Sequence, residues 1–107
     1  MFTDIVGSTA LWDQYPEAMT EALAEHDERI GSIVAGLDGY VFTTAGDSFA
    51  VAFESASAAL NSAVQIQLAM REPVNGLDLA VRIGVHTGVA TLRNGDYFGG
   101  AVNRAAR

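Results

Sequence analysis

The chain has 107 residues, half of them apolar, and thirteen acidic residues against six basic ones give a formal charge of −7. That length fits one domain with a single core. The lack of cysteine excludes disulfide scaffolds and thiolate metal sites, and the acidic balance argues against a nucleic-acid partner, which demands a basic footprint. No apolar run approaches the ~20 residues of a membrane span, and the first residues show no basic segment followed by an apolar one. A soluble, cytoplasmic domain without membrane contact is expected.

Met1 to Ile5 reads as a short buried strand. Gly7-Ser8-Thr9 then opens a helical stretch through Leu11 and Trp12, which gathers free backbone N–H groups just after Asp4. Pro16 suits the first turn of a second helix that runs to about Leu37. Met19, Leu23, Ile30, Ile33, Val34 and Leu37 fall near helical spacing, while Glu17, Glu21, Glu25 and Glu28 line a solvated face. His26, on this acidic helix, reads as a surface or helix-interface residue. Asp38-Gly39 stops the helix, and Tyr40 to Thr44 has strong β character.

Ala45-Gly46-Asp47 makes a turn, from which Ser48 to Phe53 returns as the second arm of a hairpin. Ser55 to Arg71 is helical again, with Ala59, Ala63, Ile66 and Met70 on one side, and Pro73 and Gly76 end it. Leu79 to His86 alternates like a half-buried strand, and Val89 to Leu92 follows across Thr87-Gly88. Asn94-Gly95-Asp96 reads as a turn, and a last helix has begun by Arg107. The order β-α-α-β-β-α-β-β-α places a hairpin between helices, which argues against a purely parallel sheet. The expected fold is α+β, a ferredoxin-like antiparallel sheet with helices on one face. Ends that cut into a strand and a helix are those expected of a partial domain, truncated on both sides.

Two residues carry the chemistry. Asp4 and Asp47 each sit where an apolar strand breaks into a small-residue turn. If the two turns lie side by side, their carboxylates can hold divalent cations against a polyphosphate. Each also has a plainer reading, since Asp4 before Gly-Ser-Thr could cap a helix and Asp47 could be an ordinary turn residue. His86 reads as a packing or hydrogen-bonding residue.

The segments Phe2-Thr3-Asp4-Ile5-Val6-Gly7-Ser8-Thr9, Gly46-Asp47, Arg82-Ile83-Gly84-Val85-His86-Thr87-Gly88 and Phe98-Gly99-Gly100-Ala101-Val102-Asn103-Arg104-Ala105-Ala106-Arg107 together resemble the class III adenylate/guanylate cyclase catalytic domain. Any one is weak, but four in the right order over nearly the whole chain are specific. Arginine in place of all lysine, with abundant alanine, fits a bacterial version. The resemblance implies a domain that makes cyclic AMP or cyclic GMP from the nucleoside triphosphate, releases pyrophosphate, and works as a dimer with its site between subunits.

Residue by residue, the resemblance makes Asp4 and Asp47 the ligands of two Mg²⁺ or Mn²⁺ ions, with the Ile5 carbonyl as a further ligand. It turns the amides of Val6, Gly7, Ser8 and Thr9 toward the phosphates. Asn103 and Arg107 match the pair that positions the ribose and meets charge on the α-phosphate, reaching in from the opposite subunit. Asp96 and Thr43 match the base-selecting positions. Where the adenylate cyclase pattern has lysine, this chain has Thr43, and it has no lysine at all. The leading expectation is a homodimeric adenylate cyclase acting on ATP in intracellular signalling, fused to regulatory or output domains. Two rivals stay open: a degenerate cyclase homology domain that binds a nucleotide or only dimerises, and a guanylate cyclase, which Asp96 fits less well.

Overall fold

In the computed structural model the described residues are 1–88, together with the backbone of 91–93 and 96–98. The elements in chain order are β1 (Phe2–Ile5), α1 (Ser8–Gln14), α2 (Pro16–Gly36), β2 (Tyr40–Ala45), β3 (Ser48–Ala52), α3 (Ala56–Ala69), β4 (Val81–Gly84), β5 (Thr91–Arg93) and β6 (Asp96–Phe98). β1 to β4 form one sheet in the order β2-β3-β1-β4, with every neighbouring pair antiparallel. This is the ferredoxin-like arrangement: α2 carries the chain from β1 past β3 to β2, and α3 returns it to the far edge at β4.

Strand alternation sorts the side chains. Thr3 and Ile5 of β1 are buried, as are Phe49 and Val51 of β3 and Val81 of β4. Facing them, α2 buries Met19, Ala22, His26, Ile30 and Val34, and α3 buries Ala59, Ser62 and Ile66. Steps of three and four residues put each set on one helical stripe. The opposite sheet face carries Phe2 and Asp4, and no helix covers it among the described elements.

Several local devices hold this frame. The Ser55 hydroxyl accepts from Ala58 N–H at 3.1 Å and caps α3. Arg29 of α2 donates to the carbonyls of Ala69 (3.1 Å), Glu72 (3.0 Å) and Pro73 (3.0 Å) and pairs with Glu25 at 2.8 Å. It thereby ties the end of α3, where backbone carbonyls lack helical partners, to α2. At the exit of α2, Gly39 N–H donates to the Val34 carbonyl at 2.9 Å. A β-carbon at Gly39 would lie 2.6 Å from both Phe53 and Val34.

His26 takes the interface alternative and not the surface one: it is fully buried, and its ring packs against Phe49 with centroids 6.1 Å apart. Its Nδ1 lies 2.8 Å from Asp27 Oδ1. A proton on Nδ1 is donated to that carboxylate and leaves only a lone pair at the unpartnered Nε2, a smaller burden in the core than an orphaned N–H. Asp96 is the first residue of a strand rather than the end of a turn: β6 pairs antiparallel with β5, Arg93 opposite Asp96. The helix expected after Phe98 lies outside the described residues.

Candidate active site

The C-terminal end of β1, the β2–β3 turn and the start of β4 meet at one end of the sheet. Met1 and Val51 exchange backbone hydrogen bonds of 2.7 and 2.8 Å, and one such rung further on Thr3 faces Phe49. The next rung would set Ile5 opposite Asp47. There the hairpin is already turning through Gly46, whose φ of 58 lies in the left-handed region that glycine tolerates. The rung is completed by a side chain instead, with Ile5 N–H donating to Asp47 Oδ2 at 2.7 Å.

Because the N–H and C=O of one strand residue point the same way, the Ile5 carbonyl projects along that same edge, beside the carboxylate. On the other side Val6 N–H donates to the Ala80 carbonyl at 2.8 Å, so by alternation the Ile5–Val81 pair is not a bonded rung and does not claim that carbonyl. The Ile5–Asp47 bond links residues 42 apart, which makes it tertiary and not the local bond of a turn aspartate.

Asp4 projects from the open face and sits directly across from Arg82 of β4. The Arg82 guanidinium grips it with both prongs, Nε to Oδ1 and Nη2 to Oδ2, each at 2.9 Å. The pair is near the surface, with the Arg82 side chain 69% and that of Asp4 39% exposed. The Asp4 hydrogen bonds, then its charge, and at longer range the charge of Asp47, raise the Arg82 pKa above its ordinary value. Asp4 does not cap α1: the capping position is Gly7, with φ 66 and no side-chain cap. Arg82, quoted above only as part of a matching segment, is a charge between Val81 and Ile83 on a half-buried strand, which marks it as facing away from the core.

The remaining described candidates lie on the β1–α1 turn, α1, β2 and β6. Val6 has its amide engaged with Ala80, whereas Ser8 and Thr9 open α1 behind Gly7 with no side chain capping their amides. Thr43 is exposed on β2 opposite Ala50, which in turn lies opposite Phe2, so the three form a row across the open face. Phe2 and Phe42 meet there edge to face at 6.2 Å. The strand that begins with Asp96 lies close to β2, so Thr43 and Asp96 stand on neighbouring elements. Asn103 and Arg107 lie outside the described residues.

Two carboxylates and a backbone carbonyl are an all-oxygen donor set, suited to a hard cation such as Mg²⁺ or Mn²⁺. Among the described residues no group of three or more His, Asp or Glu gathers to add to it. A separate groove of about 730 Å³, lined by Leu60, Val64, Leu68, Leu79, Ile83 and Val85, opens between α3 and β4. It lies on the helical side of the sheet, opposite Asp4, and has no part in this donor set.

The sequence matches the adenylate and guanylate cyclase catalytic domain over residues 1–107. The chain belongs to that family. This cyclase-family chain is 31% identical over 151 residues to the receptor-type adenylate cyclase ESAG 4 of Trypanosoma brucei brucei, a match covering 100% of this chain and 12% of that protein. It is 33% identical over 134 residues to an adenylate cyclase of Podospora anserina, with 100% of this chain and 6% of the other covered. Its fold superimposes with a TM-score of 0.93 on a solved adenylate cyclase of Trypanosoma brucei in its monomeric state, at 29% identity, covering 99% of this chain and 64% of that one. The cyclase-family chain thus spans a small part of these two relatives and less than two thirds of the solved neighbour.

Proposed function

We propose that this chain forms the catalytic core of an adenylate cyclase that converts ATP to 3′,5′-cyclic AMP and pyrophosphate. The observation that carries the reading is the gathering of Asp4, Asp47 and the edge of Ile5 at one end of the sheet, with Arg82 beside them. The similarity to proteins named adenylate cyclases supports it.

Asp4, Asp47 and the Ile5 carbonyl would hold Mg²⁺ or Mn²⁺. Such ions, when bound, acidify the ribose 3′-hydroxyl and neutralise the triphosphate. The 3′-oxygen then bonds to the α-phosphorus while the bond to the pyrophosphate oxygen breaks, and the hydroxyl proton leaves to solvent. The amides of Ser8 and Thr9 at the start of α1 face the anion, and Arg82 supplies positive charge next to the carboxylates. Thr43 lies two strands over from Asp4 and one side-chain step along, roughly 12 Å away at ordinary strand spacings. That span suits a nucleotide with its phosphates at Asp4 and its base near Thr43 and Asp96.

Asn103 and Arg107 are proposed to enter from the second subunit of a homodimer, which makes the site a shared one. The proposed setting is cytoplasmic signalling, with the domain joined to regulatory or output domains.

The test is cyclic nucleotide formation by the full-length protein with Mn²⁺ and either ATP or GTP, using Asp47→Asn as the blank. Cyclic AMP from ATP well above that blank, and above any product from GTP, is expected. Bound ATP without product in a demonstrated dimer would overturn the enzymatic reading and favour a nucleotide-binding module.

A further inference from the structure

We propose that Arg82 is a latch on the cation site, occupying both oxygens of Asp4 until a divalent cation displaces it. The inference rests on the metal-site reading given above and adds to it a competition internal to the chain. Arg82 engages Asp4 with two parallel bonds of 2.9 Å, which take one lone pair on each oxygen and set a positive charge against the carboxylate, so an approaching cation meets both a reduced donor capacity and a like charge. Asp47, by contrast, spends one oxygen on Ile5 N–H.

The latch has a reason to exist. Two carboxylates at one sheet end repel each other when no cation lies between them, and a guanidinium beside both offsets that repulsion. It also has a way to open. Arg82 is 69% exposed, so its side chain can swing out without disturbing the core, and an ion pair this exposed is weak. The cation therefore enters against modest resistance and releases a positive charge at the mouth of the site. An anionic ligand that takes up Arg82 frees Asp4, so cation and polyphosphate would each ease the binding of the other.

The experiment is Mn²⁺ binding to the nucleotide-free full-length protein, followed by the loss of the free-ion electron paramagnetic resonance signal. Wild type, Arg82→Gln and Arg82→Lys are compared, with Asp47→Asn as the site blank and circular dichroism to check folding. Arg82→Gln is expected to bind Mn²⁺ roughly two- to fivefold tighter than wild type, the scale of an exposed ion pair. Arg82→Lys keeps the charge and loses the fork, so a smaller gain is expected; if the glutamine variant fails to fold, lysine decides the matter.

Wild-type binding that depends on Asp47 but does not tighten in Arg82→Gln would overturn the latch and leave the metal site standing. A lysine variant that binds as wild type does would reduce the effect to net charge and equally overturn the latch. Absence of any Asp47-dependent Mn²⁺ binding in all forms would overturn the latch and the metal site together.

Discussion

Asp47 serves the sheet with one carboxylate oxygen, through the 2.7 Å bond from Ile5 N–H, and is proposed to serve a cation with its charge. Asparagine keeps an acceptor oxygen of the same shape and loses the charge, whereas alanine loses both. Asp47→Asn is therefore expected to unfold in urea within about 0.5 kcal/mol of wild type, and Asp47→Ala to lose about 1–2 kcal/mol, the cost of stranding a half-buried donor. Both should lose Mn²⁺-dependent cyclase activity by at least about a hundredfold, since no other described carboxylate stands in. Equal stability of the two variants would remove the Ile5 bond from the account. At this scale the two aspartates were legible, because each follows an apolar strand at a turn and falls in a segment matching the cyclase pattern. Arg82 was not, because its meaning lies in a partner 78 residues away that only the β1–β4 register reveals. His26 was left between surface and helix interface by its acidic neighbours Glu25, Asp27 and Glu28; its phase, four residues from both Ala22 and Ile30, decides for the interface.

The helices and longer strands could be read from periodicity and punctuation. α2 begins at Pro16 and ends beside the Asp38-Gly39 stop, and the β2–β3 hairpin brackets Gly46 as its turn chemistry dictates. β6 was harder: a three-residue strand opened by aspartate directly after Asn-Gly carries a turn signal stronger than its strand signal, and only pairing with β5 settles it. Gly39 shows an element-level constraint that composition hides. Its neighbours Phe53 and Val34 come so close that an added methyl must displace packed side chains. Gly39→Ala is expected to cost about 1–3 kcal/mol, as overpacking typically does, measured as a shift of the urea midpoint with the slope unchanged. A loss under about 0.5 kcal/mol would show that the Phe53 ring gives way freely.

Across the whole molecule, the fold class followed from the order of elements, since a hairpin between two helices closes most simply as the antiparallel sheet observed. The assembly of the site did not follow from local signals, because Asp4, Asp47 and Arg82 meet only through long-range pairing. The proposed shared site makes a prediction at this scale. Equal mixing and co-refolding of full-length Asp47→Asn and Asn103→Ala subunits should restore activity to about a quarter of wild type, because half the dimers are mixed and each mixed dimer has one intact site of two. Demonstrated mixed dimers without recovered activity would count against a site built from two chains. Descendants of this sequence are free to lengthen or shorten the connections, but an odd-numbered insertion or deletion within β1 would turn Asp4 inward beneath α2 and Thr3 outward to solvent. The spacing of those few residues is thus inherited as one indivisible unit, whatever happens to the loops around it.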